Sequence, residues 1–258
     1  MRSVATPHRC TTELDWADDA VWDARLARDR ATAAAHQSEA QKKITAALLS
    51  RSIASGAAAF ALTGSTARNR RTLISDLDYH LIGQRPEFRD LPEEIDIVAY
   101  DASTLFEKLR SGDDYSQWTL RYGCILHDTG VFRRGLLTMT EERLWPSWEE
   151  KLARLPAQIA LARRLAEAGD QEGAQAEARA TFTSAARAVL LRASVFPLAR
   201  SELPGQLRET GFVQLADLLE RTIYSDIPLE VIGRGLQAAT SGELLTADRR
   251  LAAARGGR

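Results

Sequence analysis

Two aspartates separated by a single residue are the first feature of this chain that could do chemistry. Asp76 and Asp78 lie in the segment Ser75-Asp76-Leu77-Asp78-Tyr79, which alternates polar and apolar residues as a strand does. Side chains at positions i and i+2 of a strand project from the same face, so we expect both carboxylates to share a small volume. Like charges this close stay ionised only beside a cation, and carboxylate oxygens suit Mg²⁺. The pattern predicts a divalent-metal site.

A third acidic residue could join them. Asp96 lies between two isoleucines in a second strand candidate, so we expect it to be buried and to have a partner, because an unpaired buried carboxylate is costly. If the two strands are neighbours, Asp96 can meet Asp76 and Asp78 around a pair of Mg²⁺ ions. Two ions so held can clamp the attacking and leaving oxygens of a phosphoryl displacement. Asp101, at the end of the same strand, is the alternative if the register differs.

A glycine–serine pair upstream adds a candidate phosphate loop. An apolar strand candidate over residues 57–63 runs directly into Gly64 and Ser65. Glycine lets backbone N–H groups approach a phosphate closely, and the first turn of a following helix adds donors. Ser65 would add a hydroxyl and Arg68 a charged fork to the binding of a triphosphate.

The order of these features resembles the nucleotidyltransferase superfamily typified by DNA polymerase beta. It is most similar to its small bacterial members, which include aminoglycoside nucleotidyltransferases and the minimal nucleotidyltransferases of toxin–antitoxin pairs. The resemblance covers roughly residues 57–130, and Asn69 stands where many members have glycine. The segments that carry it are Gly64-Ser65-Thr66-Ala67-Arg68, Ser75-Asp76-Leu77-Asp78, Asp96 between apolar neighbours, and Tyr122-Gly123-Cys124-Ile125-Leu126-His127-Asp128.

The resemblance implies transfer of a nucleoside monophosphate, with AMP from ATP preferred over another nucleotide, to a hydroxyl of a small molecule, releasing pyrophosphate. Asp76 and Asp78 would hold two Mg²⁺ ions, and Asp96 would complete the one that activates the acceptor. Gly64 and Ser65 would seat the β and γ phosphates. Two other classes stay open: an antitoxin-like enzyme that modifies or masks a partner protein, and a degenerate module that only binds nucleotides.

Composition limits the kinds of molecule that this chain is expected to bind. The chain has 258 residues, with 34 basic and 35 acidic side chains and a net charge of −1, so no global basic field favours a long nucleic acid. A nucleoside triphosphate and a small-molecule or protein acceptor are favoured. Cys10 and Cys124 lack a disulfide or zinc spacing, and no apolar run is long enough to cross a membrane. We therefore predict a cytoplasmic protein; its oligomeric state is left open.

The strand signals concentrate in one part of the chain. We predict a nucleotidyltransferase domain over residues 1–148, with a helical lead-in at 14–54 and a catalytic sheet at about 57–130. A helix over 103–110 is expected to begin at Ser103 as its cap. The predicted strands are 57–63, 76–82, 95–100 and 123–128.

Residues 149–258 read as helical throughout, because alanine, leucine and arginine recur at helical spacing without a further strand pattern. The overall prediction is an α+β fold, in which a mixed-sheet core precedes an all-helical domain on the acceptor side. The predicted helices of that domain are 149–168, 171–195, 212–224, 228–238 and 241–254.

Overall fold

The computed structural model describes residues 16–71, 76–86 and 95–224. It has an α+β fold that divides into two compact units, residues 1–145 and residues 146–258. This division falls close to the boundary predicted after residue 148. All four strands of the described residues belong to the first unit.

The strands of the first unit are β1 (Ala59–Leu62), β2 (Leu77–Ile82), β3 (Ile95–Tyr100) and β4 (Cys124–Asp128). They form a mixed four-stranded sheet in the order β3-β2-β1-β4. Strand β1 pairs antiparallel with both β2 and β4, whereas β2 and β3 run parallel. A parallel pair needs a crossover connection, so the chain crosses the sheet between the end of β2 and the start of β3.

Helices cover both faces of this sheet. One apolar cluster joins Ala59, Ala61 and Ile82 of the strands to Trp22 and Leu26 of the first helix and to residues of three later helices. These helices of the first unit are α1 (Asp19–His36), α2 (Glu39–Ala54), the single turn α3 (Gly64–Ala67), α4 (Ala102–Arg110), α5 (Asp114–Tyr122) and α6 (Val131–Glu141).

The opposite face has its own core. Phe60, Tyr79 and Ile97 pack there with Ala33 of α1 and Leu48 of α2. Because β1 is buried on both faces, its four residues are all apolar rather than alternating. The position of β1 in the middle of the sheet follows from this pattern.

Helix α1 covers the outer edge of β4 with charged side chains. Asp29 accepts a hydrogen bond from the Ile125 N–H (3.1 Å) and pairs with the buried Arg25 at 2.7 Å. Arg30 donates to the Leu126 carbonyl (2.9 Å). An edge strand otherwise leaves its backbone donors and acceptors unpaired, so these contacts satisfy groups that the sheet cannot.

The structure corrects the predicted start of α4. Its cap is Asp101, whose carboxylate accepts from the Thr104 N–H at 2.7 Å, and Ser103 lies inside the first turn and donates to the same carboxylate. These bonds lower the pKa of Asp101. Asp101 therefore serves the helix, which leaves the acidic position of β3 to Asp96. Helices α5 and α6 were not among the predicted elements.

The second unit is helical over its described residues. Helices α7 (Trp148–Glu167) and α8 (Gln171–Arg192) form a hairpin closed by Gly169, which has a left-handed φ of 83°. Pro204 lies in the first turn of α9 (Leu203–Glu209), a helix that the sequence analysis does not predict, and its missing N–H costs no helical hydrogen bond there. Helix α10 (Val213–Tyr224) follows α9.

Predicted helices 228–238 and 241–254 lie outside the described residues. The core of the second unit is formed by α8, whose Ala178, Phe182 and Ala186 pack against α7, α9 and α10. Small alanines allow α7 to approach α8 closely. Within the part of the chain that the structure describes, no helix has both the length and the apolar character needed to cross a membrane.

The edge contacts of α1 lead to a stability prediction. Asp29→Ala should lower the free energy of unfolding by about 3 kcal/mol or more, because it leaves Arg25 buried without its carboxylate. The exposed Asp23 on the same helix is the matched control, and Asp23→Ala should stay within about 0.5 kcal/mol of the wild type. Urea unfolding measures both. Equal effects of the two substitutions would contradict the role given to Asp29.

Candidate active site

The structure places Asp78 and Asp96 side by side. They are register partners on the parallel strands β2 and β3, so their side chains leave the same face of the sheet. Asp76 immediately precedes β2 and is exposed. Leu77 and Ile97 point to the opposite face and are buried there. We call Asp76, Asp78 and Asp96 the carboxylate cluster.

The three charges interact. The pKa of Asp78 is raised from 3.8 to about 6, mainly by burial and then by the negative charges of Asp76 and Asp96. The interior position of Asp78 on β2 explains the burial, and the strand pairing explains the repulsion. The cluster therefore concentrates negative charge at a place where a cation would be favourable.

The predicted burial of Asp96 is wrong. Asp96 is exposed, although Ile97 beside it is buried. In strand β3 the isoleucine side chain enters the core below the sheet, while Asp96 points to the other face, where it remains open to solvent. Asp96 lies beside Asp78 because strands β2 and β3 pair, and not because a buried charge needs a partner.

The donor chemistry of the cluster fits a hard divalent cation such as Mg²⁺, because all three groups offer carboxylate oxygens. The three carboxylates are not close enough together to coordinate one ion, however. Over residues 16–71, 76–86 and 95–224, no three His, Cys, Asp or Glu side chains lie close enough together to hold a metal ion. Asp76 and Asp96 are both exposed, so their side chains have room to rotate toward Asp78.

Gly64 lies directly against the cluster. A Cβ atom built on Gly64 would stand 1.8 Å from Oδ2 of Asp78, and the residue has a left-handed φ of 65°. The neighbouring Thr63 N–H donates to the Asp78 carbonyl oxygen at 2.8 Å. The sequence suggested that glycine here lets a phosphate approach the backbone. The structure shows instead that glycine lets the Asp78 carboxylate approach the backbone at this position.

The loop that follows is a single helical turn. The Ser65 carbonyl accepts from the backbone N–H groups of Arg68 (3.2 Å) and Arg70 (2.8 Å). Asn69 has a φ of 53°, the left-handed conformation in which asparagine is tolerated better than most residues. Asparagine at this position is therefore compatible with the turn.

Helix α5 borders the same region and was missed by the sequence analysis. The Tyr115 hydroxyl lies 3.4 Å from Oγ1 of Thr63, and the Arg68 guanidinium lies 5.2 Å from the ring centre of Tyr122. Burial raises the pKa of Tyr115 to about 12, and the charges of Asp78 and Asp96 contribute. The spacing of the two tyrosines, seven residues apart, was a usable signal, because it places both on one helix face.

His80 lies on the cluster face of β2 but is fully buried. Its Nδ1 lies 3.1 Å from Oγ1 of Thr119, and its ring packs edge-on against Tyr100. Burial, with the positive charge of Lys108, lowers the pKa of His80 to about 3, so the ring is neutral at physiological pH. This supports a structural histidine rather than one that exchanges protons with a substrate.

Comparisons with known proteins add little. No protein-family model and no curated protein matches the chain. Among solved structures, the chain is similar to a nucleotidyltransferase-like protein from Exiguobacterium sibiricum at 16% sequence identity and a TM-score of 0.39, over 76% of this chain and 72% of that chain. A likeness this weak carries no weight for function, which we therefore argue from the side chains.

A substitution at Gly64 tests whether the Asp78 carboxylate lies against this residue. Gly64→Ala should destabilise the protein by about 1–3 kcal/mol more than Gly56→Ala, because its methyl group collides with the Asp78 carboxylate. Gly56 is a matched control, because its φ is 79° and nothing lies within 4 Å of its Cβ position. Gly56→Ala therefore has only the cost of the left-handed backbone conformation and no steric clash. Thermal unfolding of the two variants measures the difference, and equal losses would show that the carboxylate does not lie against Gly64.

The raised pKa of Asp78 predicts a dependence of stability on pH. The folded carboxyl titrates at about 6 and the unfolded one at 3.8, so the folded state holds the extra proton between these values. Protonation of Asp78 therefore stabilises the folded state fully below pH 3.8, and this stabilisation is lost as the pH rises through 6. Asp78→Asn should therefore be more stable than the metal-free wild type at pH 7, by about 1–2 kcal/mol after allowance for partial exposure.

Urea unfolding of both proteins in the presence of a chelator, at pH values from below 4 to above 6, measures this difference. The two stability curves should coincide at the acidic end and separate as Asp78 ionises. Curves that run parallel over the whole range would mean that burial and repulsion do not act on Asp78.

Proposed function

We propose that this protein is a Mg²⁺-dependent nucleotidyltransferase, which transfers a nucleoside monophosphate from a triphosphate to a hydroxyl group and releases pyrophosphate. The observation that carries the proposal is the pairing of Asp78 with Asp96 on adjacent parallel strands, beside Gly64 and with Asp76 next to them. Three carboxylates next to a tight glycine turn suit the binding of metal-bound phosphates.

In this proposal Asp76, Asp78 and Asp96 would hold two Mg²⁺ ions. When bound, these ions supply the positive charge that a polyphosphate needs in order to be attacked and to release pyrophosphate. The exposure of Asp96 suits it to receive the proton of the incoming hydroxyl, because solvent and substrate can both reach it. Asp78 would hold the metal ions, whose positive charge would offset the burial and the repulsion that raise its pKa.

The nucleotide side of the site would be the loop after β1. Backbone groups of Gly64 and Ser65 would seat the β and γ phosphates, and Arg68 would add a charged donor. The left-handed conformations of Gly64 and Asn69 shape this loop. ATP is our preferred donor and AMP the transferred group.

The acceptor is proposed to be a small hydroxylated molecule, of the kind that aminoglycosides represent. A net charge of −1 supports this choice over a long nucleic acid, whose phosphates need a basic surface. The helical second unit would supply the acceptor side. A protein acceptor, as in the antitoxin-like alternative, and a cytoplasmic location also remain predictions.

The decisive experiment measures transfer directly. The purified protein is incubated with Mg²⁺, each α-labelled nucleoside triphosphate in turn, and a panel of aminoglycosides and other hydroxylated metabolites. We expect label to move to at least one small molecule with release of pyrophosphate. Asp78→Asn should reduce the rate by about 10³-fold or more, because several kcal/mol of charge stabilisation depend on it. Exposed Asp23→Asn should leave the rate unchanged.

The possible outcomes separate the candidate functions. Undiminished turnover of a folded Asp78→Asn variant would contradict the assignment of the site. Label found on a copurifying protein would favour the antitoxin-like alternative. Binding of the triphosphate that requires Mg²⁺ but never releases pyrophosphate would indicate a module that only binds nucleotides.

A further inference from the structure

Asp78 has a neighbour on each side within the sheet. On one side the strand register places Asp96 of β3 opposite it. On the other side β1 continues into Thr63, whose N–H donates to the Asp78 carbonyl at 2.8 Å. Strands β1 and β2 are antiparallel, and Leu62 is the register partner of Tyr79. The next position along pairs Thr63 with Asp78, so the side chains of Asp96, Asp78 and Thr63 form a row across one face of the sheet.

Tyr115 of α5 lies over the β1 end of this row. Its ring centre is 5.2 Å from that of His80, which follows Asp78 by two residues on the same face of β2. Its hydroxyl oxygen lies 3.4 Å from Oγ1 of Thr63. One helical turn later, Oγ1 of Thr119 lies 3.1 Å from Nδ1 of His80. Contacts of α5 with both strands therefore place the phenolic oxygen of Tyr115 beside the carboxylate cluster.

The hydroxyl of Tyr115 is only weakly held in this position. Its distance from Thr63 is longer than the usual separation of two hydrogen-bonded hydroxyl oxygens, about 2.5 to 3.0 Å. Tyr100, on the same face of β3, differs, because its hydroxyl lies 2.7 Å from Oγ of Ser116. Ser116 gives its own proton to Asp113, so Tyr100 must be the donor in that bond. Tyr115 is half-buried, and its proton is available to a ligand in a way that the proton of Tyr100 is not.

The charge around Tyr115 keeps it a neutral donor. Burial is the main cause that raises the pKa of Tyr115 to about 12, and the charges of Asp78 and Asp96 act in the same direction. The phenol is therefore protonated at physiological pH. A lysine or arginine at this place would pair with the carboxylates and compete with Mg²⁺ for them. A neutral hydroxyl can donate to an anionic ligand without this competition.

We propose that Tyr115 contacts the substrate, by donating its hydroxyl proton to a phosphate oxygen of the bound triphosphate. This inference rests on the proposed function and adds a residue of α5 to the nucleotide side of that site. Position favours the phosphates over the base or the acceptor. Thr63 leads directly into Gly64, whose Cβ position lies 1.8 Å from Oδ2 of Asp78. The Tyr115 hydroxyl thus lies where the proposed phosphate loop meets the carboxylate cluster.

The test compares equilibrium binding of two probes, adenosine and an ATP analogue with a methylene group between the α and β phosphorus atoms, both with Mg²⁺. Tyr115→Phe should weaken binding of the analogue about 3- to 10-fold, the effect of one hydrogen bond, and leave adenosine unchanged. Tyr100→Phe is the matched control, because it removes a hydroxyl whose proton is already given to Ser116. It should bind both probes as the wild type does.

Other results would overturn the inference. Tyr115→Phe keeps the ring that packs on His80, so thermal unfolding should show a folded variant. A folded variant that binds the analogue as tightly as the wild type would remove the hydroxyl from the phosphate site. Equal weakening of both probes would show that Tyr115 only supports the packing of the site. A wild-type protein that binds the analogue no better than adenosine would refute the proposed function itself, and this inference with it.

Discussion

The pairing of β2 with β3 is the constraint on which the candidate site depends. Parallel register puts Asp78 opposite Asp96, and the burial of Leu77, Tyr79 and Ile97 on the other face fixes that register. A slip of one residue would turn the apolar set outward, so the core enforces the meeting of the carboxylates. Their repulsion is visible in the raised pKa of Asp78. The fold thus holds together charges that would separate if they were free.

Such a site destabilises the protein locally, and the rest of the first unit offsets the loss. The central strand β1 is buried on both faces, and α1 closes the open edge of β4 through Asp29, Arg25 and Arg30. These interactions involve β1 and β4, which β2 separates from β3 in the sheet. The strand that carries Asp96 keeps this polar residue open to solvent.

Helix α5 links the two halves of the site. Its Tyr115 hydroxyl lies near Oγ1 of Thr63, its Thr119 lies beside buried His80, and the ring of its Tyr122 lies near the Arg68 guanidinium. One helix face thereby lies beside both the end of β1 and the loop that follows it. A shift of α5 would alter both, which makes it the natural element through which packing of the first unit could influence the site.

Sequence alone was enough for the four strands and for the alternation that puts Leu77 and Asp78 on opposite faces of β2, because strand periodicity is a local property of the backbone. It could not settle whether Asp96 is buried, since flanking isoleucines do not reveal what covers each face of a strand. Nor did it find α5, whose aromatic residues matter through contacts with a loop some fifty residues earlier. Local pattern decides which side chains share a face; only tertiary packing decides what lies against that face, because such contacts join residues distant in the chain.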